Sequence, residues 1–178
     1  MASLVDRMVR ASKLDVNLYE EVEADKGAIG QALTVVLISS IASGVGSIGI
    51  IGIQGLVIGA FAALLGWVAW AFLAFIIGTK LLPEPETKSD MGELLRTTGF
   101  ASSPGVLRVF AFIPLIGVLV SIVASIWMLV AMVIAVRQAL DYKSTWRAVL
   151  VCLIGFIIYI GIVSYIISLF VAVPASVL

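Results

Sequence analysis

The first pattern in this chain with a chemical precedent is Gly44-Val45-Gly46-Ser47-Ile48-Gly49, a GxGxxG. Glycines at that spacing hold a dinucleotide pyrophosphate when a strand precedes them, a helix follows, and an acid about 20 residues on takes the ribose hydroxyls. Residues 64–72 here read Leu-Leu-Gly-Trp-Val-Ala-Trp-Ala-Phe, with no acid. The pattern is therefore read as a membrane turn. Covalent hydrolysis needs a nucleophile beside a base; serines are plentiful, but no acid falls in the uncharged runs and the chain has no histidine. That absence also removes the commonest ligand for zinc and haem. The lone Cys152 cannot form an internal disulfide. No catalytic residue, metal site or cofactor is expected, nor a nucleic-acid partner or a small-molecule substrate, and the chain is expected not to be an enzyme.

The remaining candidates concern packing and contact. Gly55 and Gly59 form a GxxxG, continued by Ala62, Gly66 and Ala69. Small residues let helix backbones approach where lipid offers no hydrophobic drive, so Gly55, Gly59 and Gly66 are expected to pack a helix within the fold or, alternatively, against a second copy. Trp67, Trp70 and Trp127 fall near the middles of apolar runs and are expected to pack helices rather than bind a ligand. Tyr142 and Trp146 lie between two such runs and read as interfacial anchors. Arg137 and Asp141 are four apart and are expected to pair at a helix end. Arg96 and Arg108 flank an uncharged stretch, Thr97–Leu107. With Trp146 they are the candidate contacts with lipid or a partner. Arg108 either snorkels to headgroups or holds a specific carboxylate or anionic lipid.

These residues need a frame. The chain has 178 residues, 62% hydrophobic and 12% charged, with mean hydropathy +1.20. Soluble domains are about 45–50% apolar and about 25% charged, so a soluble globular protein is excluded. One helical span needs about 20 residues. Residues 27–79 carry no charge, which suits two spans, about 28–49 and 55–80, broken where Gly44 to Gly55 crowd together. A solvated loop with Pro83 and Pro85 follows. Residues 109–136 and 148–178 are also uncharged, and predict spans at about 116–138 and 146–170 with an apolar tail ending near Pro174. The segment 91–113 is ambiguous by hydropathy. Topology favours its crossing, because basic residues gather on the cytoplasmic side. If it crosses, every Lys and Arg except Arg108 falls on one side; if not, Arg137, Lys143 and Arg147 move to the other.

The expected fold is thus an all-α integral membrane protein with five transmembrane helices over residues 27–178. Its N-terminus would be cytoplasmic and its C-terminus outside. Residues 1–26 would form an amphipathic cytoplasmic segment rather than a signal peptide. Leu4, Met8 and Ala11 share one helical face, Leu14, Leu18 and Val22 another, and Ser12 with Asp15 reads as a capping box. The segment either lies on the membrane surface or packs against the protein's own loops.

Several pieces, in order, resemble the Yip1-domain family in its short bacterial form. They are Leu18-Tyr19-Glu20-Glu21 with Asp25, Gln31-Ala32-Leu33, Gly66-Trp67, Gly99-Phe100-Ala101 with Pro104-Gly105, Pro114-Leu115 with Gly117, Trp127-Met128-Leu129 and Val136-Arg137-Gln138-Ala139-Leu140-Asp141. The resemblance implies a five-helix membrane domain with a cytoplasmic N-terminus, in a bacterial inner membrane. Eukaryotic relatives serve vesicle traffic and bind small GTPases and one another. GTPase binding is not carried over, since their long polar N-terminal region has no counterpart here. The function expected is a membrane-organising or trafficking-type adaptor whose partners are the lipid bilayer and other membrane proteins or itself. The alternatives are an accessory subunit of a respiratory or photosynthetic complex, and a passive small-solute or lipid transporter.

Overall fold

The structure is a computed structural model that describes residues 2–171; the expected tail near Pro174 lies outside them. Among the described residues there are seven α-helices and no strand. Four helical stretches are long and apolar enough to cross a membrane: Lys26–Gly46, Ile48–Leu81, Gly117–Ala139 and Thr145–Ile166.

The chain opens with a helical hairpin, α1 (Leu4–Ser12) and α2 (Val16–Ala24). The expected Ser12/Asp15 capping box is not formed. Ser12 closes α1, Leu14 takes φ 61° to turn the chain, and Asp15 caps α2 by accepting from Asn17 N at 3.0 Å. A capping box does occur at Asp90 and Glu93, where each side chain accepts from the other's backbone N–H, at 2.9 and 2.8 Å. The amphipathic pattern of residues 1–26 is used against the protein itself: Ala11, Leu18, Tyr19 and Val22 are fully buried, in one cluster with Ala32, Val35, Phe100, Ala131 and Ala135.

α3 (Ile29–Gly46) and α4 (Ile48–Ile76) follow with only Ser47 between them. The break expected between residues 49 and 55 is present at Gly52, whose φ of 62° and ψ of −176° divide Ile48–Ile76 into two helical pieces, and a first turn at Ser47 ends α3. Ile48–Ile51 is thus a single helical turn between Ser47 and Gly52, and glycine takes the positive φ at position 52 without a Cβ clash. α4 ends in a π-helical turn, Ile77–Leu81. α5 (Met91–Phe100) stops short of the expected span 91–113, and Ser103–Phe112 continues in tighter 3₁₀ turns. Pro104 has no N–H to extend the α-helix, and the Ser103 hydroxyl donates to the Phe100 carbonyl at 2.7 Å. α6 (Gly117–Ala139) and α7 (Thr145–Val171) complete the chain, close to the boundaries read from the sequence.

Close contacts set the register. Gly99 lies against Ala32, Gly105 against Ser39, and Gly46 against the Arg108 carbonyl. A Cβ on any of the three glycines would overlap its neighbour. Residues 91–112 thus run alongside α3 in the same direction, from the end holding the loops 25–28, 82–90 and 140–144 to the end holding Ser47 and Leu115. The larger buried side chains collect at the first end. A second cluster there joins Ile77, Leu94, Val136, Leu140, Tyr142 and Val151. Beyond Val36 the buried residues of α3 are only Ser39, Ala42, Gly44 and Gly46, so the other end is knit by small residues alone.

Candidate functional site

The chemistry-bearing side chains meet at the loop-rich end. Arg7 is 4% exposed. It donates through Nε to Glu21 at 3.0 Å, through Nη2 to Asp25 at 2.9 Å, and through Nη1 to Gln31 at 2.8 Å. Arg10 bridges Asp15 at 2.9 Å and Glu21 at 2.6 Å. The hydrogen bonds from Arg10 and Arg7 hold the Glu21, Asp15 and Asp25 carboxyls below their ordinary range. With three side-chain partners, one of them Gln31 of α3, Arg7 is the chief polar tie between hairpin and bundle. A second tie is Trp127, whose indole N–H donates to the Ser12 carbonyl at 2.7 Å. Trp127 lies 12 residues before the end of α6, about 18 Å along it, so the hairpin covers roughly half the length of that helix.

Arg96, expected at a lipid or partner surface, is instead buried at 5% exposure. Its guanidinium donates to the Val22 carbonyl at 2.9 Å and to the Glu23 carbonyl, closing the C-terminus of α2. The helix of Arg96 presents that side to α2, a tertiary fact with no signal in hydropathy. Tyr142 is likewise no anchor. It is 4% exposed, and its hydroxyl lies 2.9 and 2.8 Å from the Gly78 and Leu82 carbonyls that the π-helical turn leaves open. Burial pushes its pKa up to about 12. Arg137 does not pair with Asp141. It donates to the Tyr142 and Lys143 carbonyls at 3.2 and 3.3 Å, because Asp141 adopts φ 53° and the chain turns back there. Glu84 accepts from Lys143 N at 2.9 Å and pairs with Arg147 at 3.4 Å, while Glu86 pairs with Lys143 at 2.6 Å. The two loops are thereby clamped together.

Between hairpin and clamp lies a cleft of about 920 Å³, walled by Glu20, Glu23, Glu86, Glu93, Asp141, Lys88 and Arg137 among others. Burial, then the Asp141, Glu93 and Glu20 charges, push Glu23 up to about 7. Among the described residues no His, Cys, Asp and Glu group has metal-site geometry. The cleft can exchange a proton near neutrality and present mixed charge to a polar partner.

Of the other predicted residues, Trp146 is 68% exposed at the start of α7. Gly66 packs on the Tyr159 hydroxyl of α7, Gly55 meets only Ile51 of its own helix, and Gly59 has no atom within 4 Å of a Cβ position. The expected seam is therefore used inside the chain at Gly66 and faces outward at Gly59. Trp67 donates to Thr98 and Trp70 to the Met132 sulfur, both at 3.2 Å, which is helix packing. Arg108 donates to Ser125 Oγ at 2.8 Å, eight residues into α6.

Among the described residues seven α-helices, with four long apolar candidate spans and a docked N-terminal hairpin, define an integral, multi-pass membrane protein. The Yip1 domain model matches residues 17–165, and the chain belongs to that family. Its members are generally non-enzymatic trafficking proteins. No curated protein and no solved structure matches.

Proposed function

We propose that the chain is a non-enzymatic Yip1-type adaptor with five membrane crossings, which organises the membrane or its traffic through contacts made at the loop-rich, cytoplasmic end. The observation that carries this reading is the register of residues 91–112 beside α3, which takes that segment from one end of the bundle to the other. With it, Lys26, Lys80, Lys88, Lys143 and Arg147 share one end, as basic residues of a cytoplasmic face do. The docked hairpin and the charged cleft give that face a shaped, polar surface suited to a protein partner. The membrane would be the bacterial inner one.

Topology is tested with Ser89→Cys, Ser144→Cys and Leu115→Cys, each in a Cys152→Ala background. In intact cells an impermeant thiol reagent is expected to label Leu115→Cys, which is 100% exposed between the crossings, and to spare the other two. Labelling at Ser144→Cys with Leu115→Cys protected would reduce the crossings to four. On a native gel after gentle solubilisation an adaptor migrates as a discrete small species; migration only within a large assembly would make it a subunit instead.

A further inference from the structure

The far end of the bundle holds a second cleft, of about 490 Å³, between the α3–α4 turn and the start of α6. Its walls are mostly apolar, with Ile50, Val118, Ile122 and Ile126 on its open side, and it carries the hydroxyls of Ser47, Ser121 and Ser125. Arg108 stands at its edge. Its side chain lies along α6 with Nη2 2.8 Å from Ser125 Oγ, eight residues or about 12 Å below the first residue of that helix. Ser125 is held in turn, donating to the Ser121 carbonyl at 2.7 Å.

A guanidinium has five N–H donors and a full charge. Among the described residues Arg108 has this one neutral partner and no ion pair. All eleven acids of the chain lie at positions 6–25, 84–93 and 141, and among the described residues none pairs with Arg108. A cation left in the hydrocarbon without a counter-charge is costly, so an anion must come from outside the chain.

The geometry points to a seat for one anionic phospholipid, its phosphodiester on Arg108 and the Ser121–Ser125 hydroxyl side, and an acyl chain in the cleft where small residues leave α3 and α6 apart. A zwitterionic lipid would bring an ammonium group to a region that has no carboxylate to receive it. The inference rests on the five-crossing reading, since Arg108 is at membrane depth only if residues 91–112 cross; the cysteine labels test that reading by themselves.

Native mass spectrometry of the full chain in mild detergent, titrated with phosphatidylglycerol, phosphatidylcholine or inorganic phosphate, tests the seat. One phosphatidylglycerol is expected to remain bound at collision energies that strip phosphatidylcholine. Arg108→Gln is expected to weaken it about tenfold or more, the loss of one charge-assisted contact. Ser121→Phe fills the cleft without touching the charge and is expected to weaken it similarly, while Arg108→Lys retains part of the binding. Equal retention of both lipids, or binding unchanged in Arg108→Gln and Ser121→Phe with the helical circular dichroism of the wild type, overturns the proposal. Displacement of the lipid by millimolar inorganic phosphate would overturn the lipid assignment and make this a free-anion site.

Discussion

Single charges at the loop-rich end act in opposite senses with pH. Glu23 is pushed up to about 7 by burial and by the neighbouring Asp141, Glu93 and Glu20, from an ordinary 4.5. The folded protein then holds this proton more tightly than the unfolded chain. Its contribution to stability is present in full below the ordinary value and is lost as pH rises through about 7. Glu23→Gln keeps the neutral form at every pH. It should raise the thermal midpoint in detergent at pH 8 and leave it nearly unchanged at pH 5; an equal shift at both would show that the charge is not the cause. Glu21, Asp15 and Asp25 behave oppositely, because Arg10 and Arg7 hold them low. Their contribution is present above the ordinary carboxylate values and fades as pH falls through their lowered ones. Arg7→Met leaves Glu21 and Asp25 without that partner, so limited proteolysis at pH 7 should cut the α1–α2 hairpin in the variant while the wild type is protected. Unchanged protection would mean that apolar burial of Leu18, Tyr19 and Val22 holds the hairpin unaided.

At the scale of elements, the tightest crossing is that of α3 with residues 101–112. Gly105 faces the Ser39 hydroxyl and the Met128 sulfur, and Gly46 faces a carbonyl. Small residues there replace the hydrophobic drive that lipid cannot supply. Gly105→Leu should therefore prevent α3, α6 and the 3₁₀ segment from closing, giving aggregated protein after solubilisation. Gly59→Leu should leave the monomer fold intact, since nothing lies within 4 Å of that Cβ position. Size-exclusion with light scattering distinguishes two uses of Gly59. An unchanged elution confines its stripe to lipid, and loss of a dimer would assign the stripe to a second copy. A well-folded Gly105→Leu would contradict the register described above.

The whole molecule is asymmetric along its length. One end is filled by two clusters of buried side chains and closed by the hairpin, whereas the other is joined through glycine, alanine and serine around an open cleft. Deleting residues 2–13 should leave the bundle inserted, because the four candidate spans lie outside that segment, yet uncover Tyr19 and Trp127. Insertion is read by carbonate extraction and exposure by faster proteolysis within residues 14–25. Loss of insertion itself would place α1 in the folding core.

The sequence by itself determined the membrane class, the positions of α6 and α7 and, through the order of short pieces such as Gly99-Phe100-Ala101 and Pro104-Gly105, the family. Long uncharged runs and local motifs carry that information without regard to what they touch. It also located the amphipathic faces of residues 1–26, but not their occupant: a lipid surface and a neighbouring helix make the same demand on Leu18 and Val22. The fate of Arg96, Tyr142 and Arg137 was equally hidden, because a polar side chain near a helix end reads as exposed until another segment brings carbonyls to it. Pro104 signalled a disturbance in 91–113, yet the register that carries this segment beside α3 depends on Ala32, Ser39 and Gly46, more than fifty residues away. Tertiary structure decided these points because which groups meet follows from packing several helices at once, where each contact is set by the volume its neighbours leave.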